Sequence, residues 1–350
     1  MKPTFWSTVK GMCRALRKNP RLSGHLMAIL WSFLRNYSLL HIEQVQQGDG
    51  STIVIALTEH MGDIVAAEPI SRLARARFPT ARIVWITRKP FKEIVDNYPS
   101  VNEVITVECL TEWLLLWSLK SDKEIVWDLH LSNRVCPHCN IGFQKSGLAA
   151  SLTYKTYYNY GNLLAVNCLS AGLSILTDAP TLSPPGQTIN KVNRLELPEA
   201  FIAIHCKSND TRRDWRKEKW RGLVSWITTD LGLSVVEIGS EPFIVQANDD
   251  RTKSLCGMLS IIETAEVLKR ASLFIGIDSG PAHLANAVGT PGVILLGNHG
   301  PFRKYVPYSG NYADGTGAEL IQWDDLPEAI PLDRVIASVS IRLKTLSGTY

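Results

Sequence analysis

"LFIGIDSGPAHLANAVGTPGVILL", residues 273–296, decides the fold. Leu273 to Ile277 is a short apolar run, the pattern of a strand buried on both faces. It stops at Asp278, Ser279, Gly280 and Pro281. Pro281 suits the first helical position, where a missing N–H leaves nothing unpaired, and Gly280 or Ser279 is then the cap. Two apolar helical turns follow, closed by Gly289, Thr290 and Pro291, before a second buried run. The predicted helix is short, and it starts where a strand ends. Free N–H groups and the helix dipole at that point make an anion site, with His283 in the first turn. The stretch reads as a holder of phosphate or diphosphate. The other reading is a plain strand–turn–helix in which Asp278 and Ser279 only cap.

Outward from this stretch, strands and helices alternate in two series. The first runs from "STIVIAL" (51–57) through strands at 82–87, 103–107 and 124–130, with helices between them. The second starts at "FIAIHC" (201–206), continues through a strand at 233–239, and ends in the opening stretch. Val- and Ile-rich runs alternating with helices of about ten residues indicate parallel sheets covered on both faces. "APTLSPPGQTINKVN" (179–193) has the Pro, Gly and polar composition of a linker. The expected fold class is α/β, two doubly wound domains facing across a cleft, with ligands at the carboxyl ends of the strands. The expected domains are a basic amphipathic helical extension at 1–50, an acceptor-side domain at 51–180, a linker at 181–198, a nucleotide-side domain at 199–325, and a C-terminal helix at 326–350 packing back on the first domain. Residues 131–178 finish the first domain without assigned elements.

The chain has 350 residues, 45% hydrophobic and 20% charged, a globular composition. Its net charge of +4 is uneven. Residues 1–50 hold seven Lys/Arg against Glu43 and Asp49, leaving the rest of the chain slightly acidic. Nothing in this pattern calls for a nucleic acid. Seven scattered cysteines, without a signal-peptide pattern before them, fit a reduced cytoplasmic setting. No run of 18 apolar residues is present to span a membrane.

Two more loops carry chemistry. "KSNDTRRDWRKEKW" (207–220) follows the strand at 201–206, at the same sheet edge as Asp278, and suits phosphate; a solvated charged face is the bland reading. "TEHMGDIVAAEP" (58–69) follows the first strand, with Gly62 permitting a tight turn and Asp63 near a helix start. Asp63 is either an N-cap or a general base. GxGxxG, GxxxxGK[ST] and a strand-end Asp-x-Asp for a divalent metal are all absent, and "NDD" (248–250) stands in a loop. "CPHC" makes Cys136 and Cys139 half of a zinc site, with His138 or His130 as helpers, but a second CxxC is missing and Cys109 is isolated in sequence. No metal is therefore expected. The tryptophans at 113, 117, 215, 220 and 226 read as packing residues.

Taken in order, these motifs resemble glycosyltransferase family 9, the ADP-heptose:lipopolysaccharide heptosyltransferases. The resemblance rests on "MGDIVAAEPISRLARARFPTARIVWITR", the basic "RRDWRKEKW", the turn "IGSE", and "DSGPAHLANAVGTP", and it covers roughly residues 52–310. It implies a GT-B fold of two Rossmann-like domains and an inverting transfer from a nucleotide-diphospho-sugar, ADP-heptose, without a required cofactor. It implies a base in Asp63 and a catalytic diphosphate clamp in Arg213, where the family usually has lysine. It implies donor contacts from Ser208, Asn209, Glu241, Asp278, Ser279, Gly280 and His283. Glu59, His60 and Gly62 are expected on the acceptor side, with a lipopolysaccharide-core or other glycan acceptor. Family members usually begin at the first strand, so residues 1–50 are additional. They read either as an anchor to the anionic cytoplasmic face of the inner membrane or as a helical cap on the first domain. An epimerase or hydrolase of the same fold, and a non-catalytic tethered subunit, are the rival readings.

Overall fold

A computed structural model describes residues 4–46, 51–245, 249–298 and 302–348, without the side chains of 41–46 and 347. The ends of the predicted extension, 1–3 and 47–50, lie outside the described residues, as does Asn248 of the NDD loop. The chain divides into two compact units, Met1–Leu176 and Thr177–Tyr350.

In the first unit the elements run α1 (Phe5–Lys18), α2 (Ser23–Gln46), β1 (Thr52–Ala56), α3 (Met61–Ala66), α4 (Glu68–Arg77), β2 (Arg82–Arg88), α5 (Lys92–Val95), β3 (Glu103–Val107), α6 (Leu110–Ser118), β4 (Glu124–Asp128) and α7 (Leu163–Ser170). The sheet is parallel throughout, in the order β3-β2-β1-β4. All five β1 side chains are buried, as its unbroken apolar run requires. The extension is part of this unit's core. Leu26, Ile29, Phe33 and Leu40 of α2 share one apolar cluster with Ile105, Val107, Trp113 and Leu114. Buried Asn36 fixes the contact by donating to Thr106 O and to Glu112 Oε1, each at 2.8 Å.

In the second unit the elements run α8 (Gly186–Asn193), β5 (Phe201–His205), α9 (Lys217–Thr229), β6 (Ser234–Glu237), β7 (Thr252–Ser254), α10 (Ile261–Arg270), β8 (Leu273–Ile277), α11 (Gly280–Ala287), β9 (Gly292–Gly297), β10 (Ala318–Trp323) and α12 (Leu332–Ser347). The parallel sheet has the order β10-β9-β8-β5-β6-β7.

One expectation is corrected here. The segment read as a linker, 181–198, contains α8: Pro185 takes the cap position, Val192 is fully buried, and Leu182 N–H donates to Ala287 O at 3.0 Å. A proline-rich start reads as a linker, yet proline is equally suited to a helix entrance. Helix α12 packs inside its own unit, with Val335 and Val339 fully buried in that core. The short strands β7 and β10 went unread because each is an edge or near-edge strand with polar interruptions.

Candidate functional site

Each unit has a topological switch point, where strand order reverses and the loops at the carboxyl edge part to leave a crevice. In the second unit the switch lies between β5 and β8. The loops after β8, β5 and β6, three adjacent strands, therefore line one continuous edge.

The loop after β8 begins with Asp278 and enters α11 with Ser279 as the cap residue. Ser279 does not cap with its side chain; its hydroxyl meets His205 Nδ1 at 3.0 Å and donates to Ile277 O at 3.1 Å. Among the described residues the start of α11 thus lacks a capping side chain, which leaves its N–H groups available to an anion. Gly289, at φ +75°, takes the left-handed conformation that ends this helix. Burial holds the pKa of His205 down to about 4, so the ring is neutral.

The loop after β5 brings Arg213 to the same point. Its Nη1 lies 3.4 Å from Asp278 Oδ2 and donates to Asp278 O at 3.3 Å. Tyr308 OH donates to Asp278 Oδ1 at 3.4 Å, so the carboxylate is held from two sides. His283 is buried, with its ring 4.7 Å from that of Tyr308. Burial lowers its pKa to about 4, against the pull of Asp278. It shapes the floor beneath α11 as a neutral ring. Ser208 spends its hydroxyl on its own loop, donating to Asp210 O at 2.7 Å and meeting Asp214 Oδ1 at 3.1 Å. Asn209 is exposed. Glu241 is exposed just past Gly239, whose φ of +149° demands glycine in the turn after β6. Buried Glu237 went unremarked in the sequence. Its carboxylate accepts N–H groups from Phe243, Ile244 and Val245, building the wall beside Glu241.

In the first unit the switch lies between β1 and β4. The loop after β1 carries Glu59, His60 and Gly62 into α3, with His60 at the cap. Asp63 stands in the first turn, and its Oδ2 accepts the His60 N–H at 3.2 Å. Desolvation, and then the neighbouring Glu59, raise its pKa to about 7; the His60 N–H and Arg134 oppose the rise. Glu59 is clamped by Arg134, whose Nε donates to Oε1 at 2.7 Å while Nη2 donates to Oε2. His60 is exposed, and Gly62 is half-buried.

Beneath this loop lies a buried polar network. His130 Nδ1 meets Asp128 Oδ1 at 2.7 Å, and His130 Nε2 accepts the Thr58 N–H at 2.9 Å. Burial alone pushes the Asp128 pKa up, but Lys145, with Nζ 2.8 Å from Oδ2, and His130 hold it down at about 2. Lys145 also donates to Ser170 O at 2.8 Å. The network fixes the exit of β1, and with it the start of the Asp63 turn. Neither Arg134 nor Lys145 was legible as a site residue, because both come from the irregular stretch after β4. The tryptophans are packing groups as expected: Trp113, Trp215 and Trp220 are buried, and Trp215 Nε1 donates to Ile330 O at 2.9 Å.

Residues 181–316 match the model of glycosyltransferase family 9 (heptosyltransferase). Lipopolysaccharide heptosyltransferase 1 of Campylobacter coli is 21% identical over 310 residues, spanning 77% of this chain and 90% of that protein. The protein of the same name from Escherichia coli K12 is 21% identical over 289 residues, 71% of this chain and 88% of that one. Among solved structures, a glycosyl transferase family 9 protein from Veillonella parvula matches with a TM-score of 0.65 at 17% identity, covering 84% of this chain and 97% of that one. E. coli ADP-heptose lps heptosyltransferase II matches at 0.63 and 16% identity, covering 85% and 100%. These likenesses give the fold as GT-B, with the α1–α2 pair present before the first strand. The family match over residues 181–316, most of the second unit, and the relatives spanning most of both chains concur with the motifs: this chain is similar to the heptosyltransferases of glycosyltransferase family 9.

Proposed function

We propose that this chain moves a heptose from ADP-heptose to a hydroxyl of a lipopolysaccharide core or another glycan, with inversion and without a metal ion in the transfer step. The observation that carries the reading is the arrangement at the second unit's switch point: Arg213 held by Asp278 beside an α11 start that no side chain caps. The relatives' names supply the donor and acceptor class.

The chemistry follows from the residues. The acceptor hydroxyl gives its proton to the Asp63 carboxylate as its oxygen bonds to the anomeric carbon. The bond from that carbon to the diphosphate oxygen breaks, and its electron pair leaves with ADP. A single displacement of this kind inverts the anomeric centre. Negative charge grows on the leaving diphosphate, where a guanidinium and fixed N–H groups stabilise the transition state more than the ground state. Arg213 stabilises that charge as a bidentate clamp and cannot donate a proton. Ser208 and Asn209 line the diphosphate side, and Glu241 takes the ribose hydroxyls. His283 with Tyr308 backs the site, and Glu59 with His60 and Gly62 borders the acceptor.

The test is release of ADP from ADP-heptose with and without core-saccharide acceptors. Acceptor-dependent release is expected. Release without acceptor would point to hydrolysis, and failure to bind donor would sink the enzyme reading of the site.

We also propose that the helical extension rests on the anionic cytoplasmic face of the inner membrane. Met27, Leu30, Trp31 and Leu34 form one exposed helical stripe on α2, and Trp6 is 70% exposed on α1 among Lys10, Arg14 and Arg17. Among the described residues, no helix is long and apolar enough to cross a membrane. Flotation with phosphatidylglycerol-containing vesicles should fall severalfold in a Trp31→Glu, Leu34→Glu variant. Equal flotation of variant and wild type would end the idea.

A further inference from the structure

Three cysteines that the sequence scatters are brought together in the first unit. Cys109 stands at the cap of α6, and Cys136 and Cys139 flank a turn after β4. They are 2%, 0% and 1% exposed. The Cys136 thiol is in hydrogen-bond contact with both Cys109 and Cys139. His25, from the first turn of α2, completes the group: its ring nitrogen and the Cys109 and Cys139 sulfurs all lie within 4.8 Å of one another. Neither His138 nor His130, the helpers expected from sequence, takes this place. His130 is committed to Asp128 and Thr58, and the His138 ring packs beside His25 at 4.9 Å.

The turn is built to present sulfur inward. Cys136 N–H donates to Ile141 O at 2.8 Å, Asn140 N–H donates to Cys136 O at 2.9 Å, and Val135 pairs with Gly142 as an antiparallel bridge. Asn140 takes the left-handed conformation, φ +54°, that closes so tight a hairpin. The Cys139 N–H points at the Cys136 sulfur. A Cβ on Gly142 would lie 2.7 Å from Arg134 O, so the hairpin strands approach too closely for a larger residue.

A second observation points to an occupant. His25 Nε2 is buried and has no hydrogen-bond partner among the described residues. Leaving such a nitrogen unsatisfied forfeits the hydrogen bonds it makes to water in the unfolded chain. Folding also places three thiols against one another in an apolar cluster that includes Leu26, Ile29 and Phe143. One ion accounts for both features.

We infer that His25, Cys109, Cys136 and Cys139 form a closed, four-ligand site for a thiophilic divalent metal ion of the zinc class. Three thiolates and an imidazole are a standard tetrahedral set, and soft sulfur donors select zinc or iron over magnesium or calcium. Tetrahedral bonds of about 2.0–2.3 Å put ligand atoms roughly 3.5–3.8 Å apart; His25, Cys109 and Cys139 already lie within 4.8 Å of one another, and Cys136, in contact with both other thiols, must draw in toward His25 to complete the set. All four positions are filled by protein, which leaves no open one for substrate. The role is therefore structural and separate from glycosyl transfer. The ion joins α2, the cap of α6 and the post-β4 turn, fastening the added helices to the body of their unit. Binding displaces the three thiol protons and leaves the sulfurs as thiolates.

The test reads metal and not activity. Full-length protein, purified without chelator, is expected to retain about one equivalent of zinc or iron after dialysis, released in step with titration of its thiols by an organomercurial. Cobalt(II) exchange should give the intense thiolate-to-metal absorption of a tetrahedral sulfur site. Cys136→Ser and Cys139→Ser should each lose most of the metal, whereas Cys206→Ser, in the second unit, keeps it. Should the first two variants not fold, the wild-type metal content and cobalt spectrum decide alone. Reduced wild-type protein with under ~0.1 equivalent and no cobalt band overturns the site. So does a disulfide among these cysteines in protein purified under reducing conditions.

Discussion

Asp63 is asked to be a carboxylate when substrate arrives and an acid once the proton has moved. A pKa near 7 serves both states, and desolvation with Glu59 alongside raises it there. The base form is the deprotonated one, so kcat/KM should fall about tenfold per pH unit below pH 7 and level off above it. Arg134 opposes the rise directly and also neutralises Glu59. Arg134→Gln should therefore move the acid limb of the profile to higher pH; a limb that stays put, or moves down, shows that Arg134 does not tune this carboxyl. Asp63→Ala should lower turnover by ~10²–10⁴ while donor affinity changes only a fewfold. A variant retaining most of its activity would remove Asp63 from the base role. Asp63 and Asp278 were legible because each sits in a short motif beside a strand end. Arg134 and Lys145 were not, because each meets its partner across a long separation in the chain, Glu59 for one and Asp128 for the other.

Strands with a Val- and Ile-rich run announced themselves, the edge strands β3 and β4 included, and the more polar edge strands β7 and β10 did not. The runs at 53–56 and 273–277 contain no polar residue other than glycine, and they became central strands. "AELIQW" mixes Glu319 and Gln322 into an edge strand, which hides its period. Helix α2 shows a different limit. Its apolar residues point both inward and outward, so pattern alone left open whether it caps the first domain or meets a membrane. The structure has it doing the first, with Leu26, Ile29, Phe33 and Leu40 in the core. Burying four such side chains contributes roughly 6–12 kcal/mol before conformational costs, against a total stability of about 5–15 kcal/mol for a domain. Deleting residues 1–46 should leave the first unit unfolded or aggregated, as judged by solubility and near-ultraviolet circular dichroism. A soluble, cooperatively melting truncation would show that α2 is an ornament on a self-sufficient core.

At the scale of the molecule the proposed labour is divided between two units, each with its own sheet and core. Every donor contact proposed here, from Ser208 to His283, belongs to the second unit, and the base belongs to the first. ADP alone should then protect the second unit selectively. At 100 times its dissociation constant, a ligand that binds only the native form adds about 2.7 kcal/mol of stability. Hydrogen exchange should slow most in the loops at 207–214 and 278–284, with little change around 58–63, and Asp63→Asn should leave this pattern intact. Arg213→Ala should erase most of it, because the guanidinium is the strongest fixed charge at that edge. Arg213→Lys should keep part, since it retains the charge but loses the fork that meets both Asp278 and phosphate. Protection by ADP that is equally strong around Asp63 would mean the nucleotide itself engages the first unit, and the assignment of donor to one unit and base to the other would have to be redrawn.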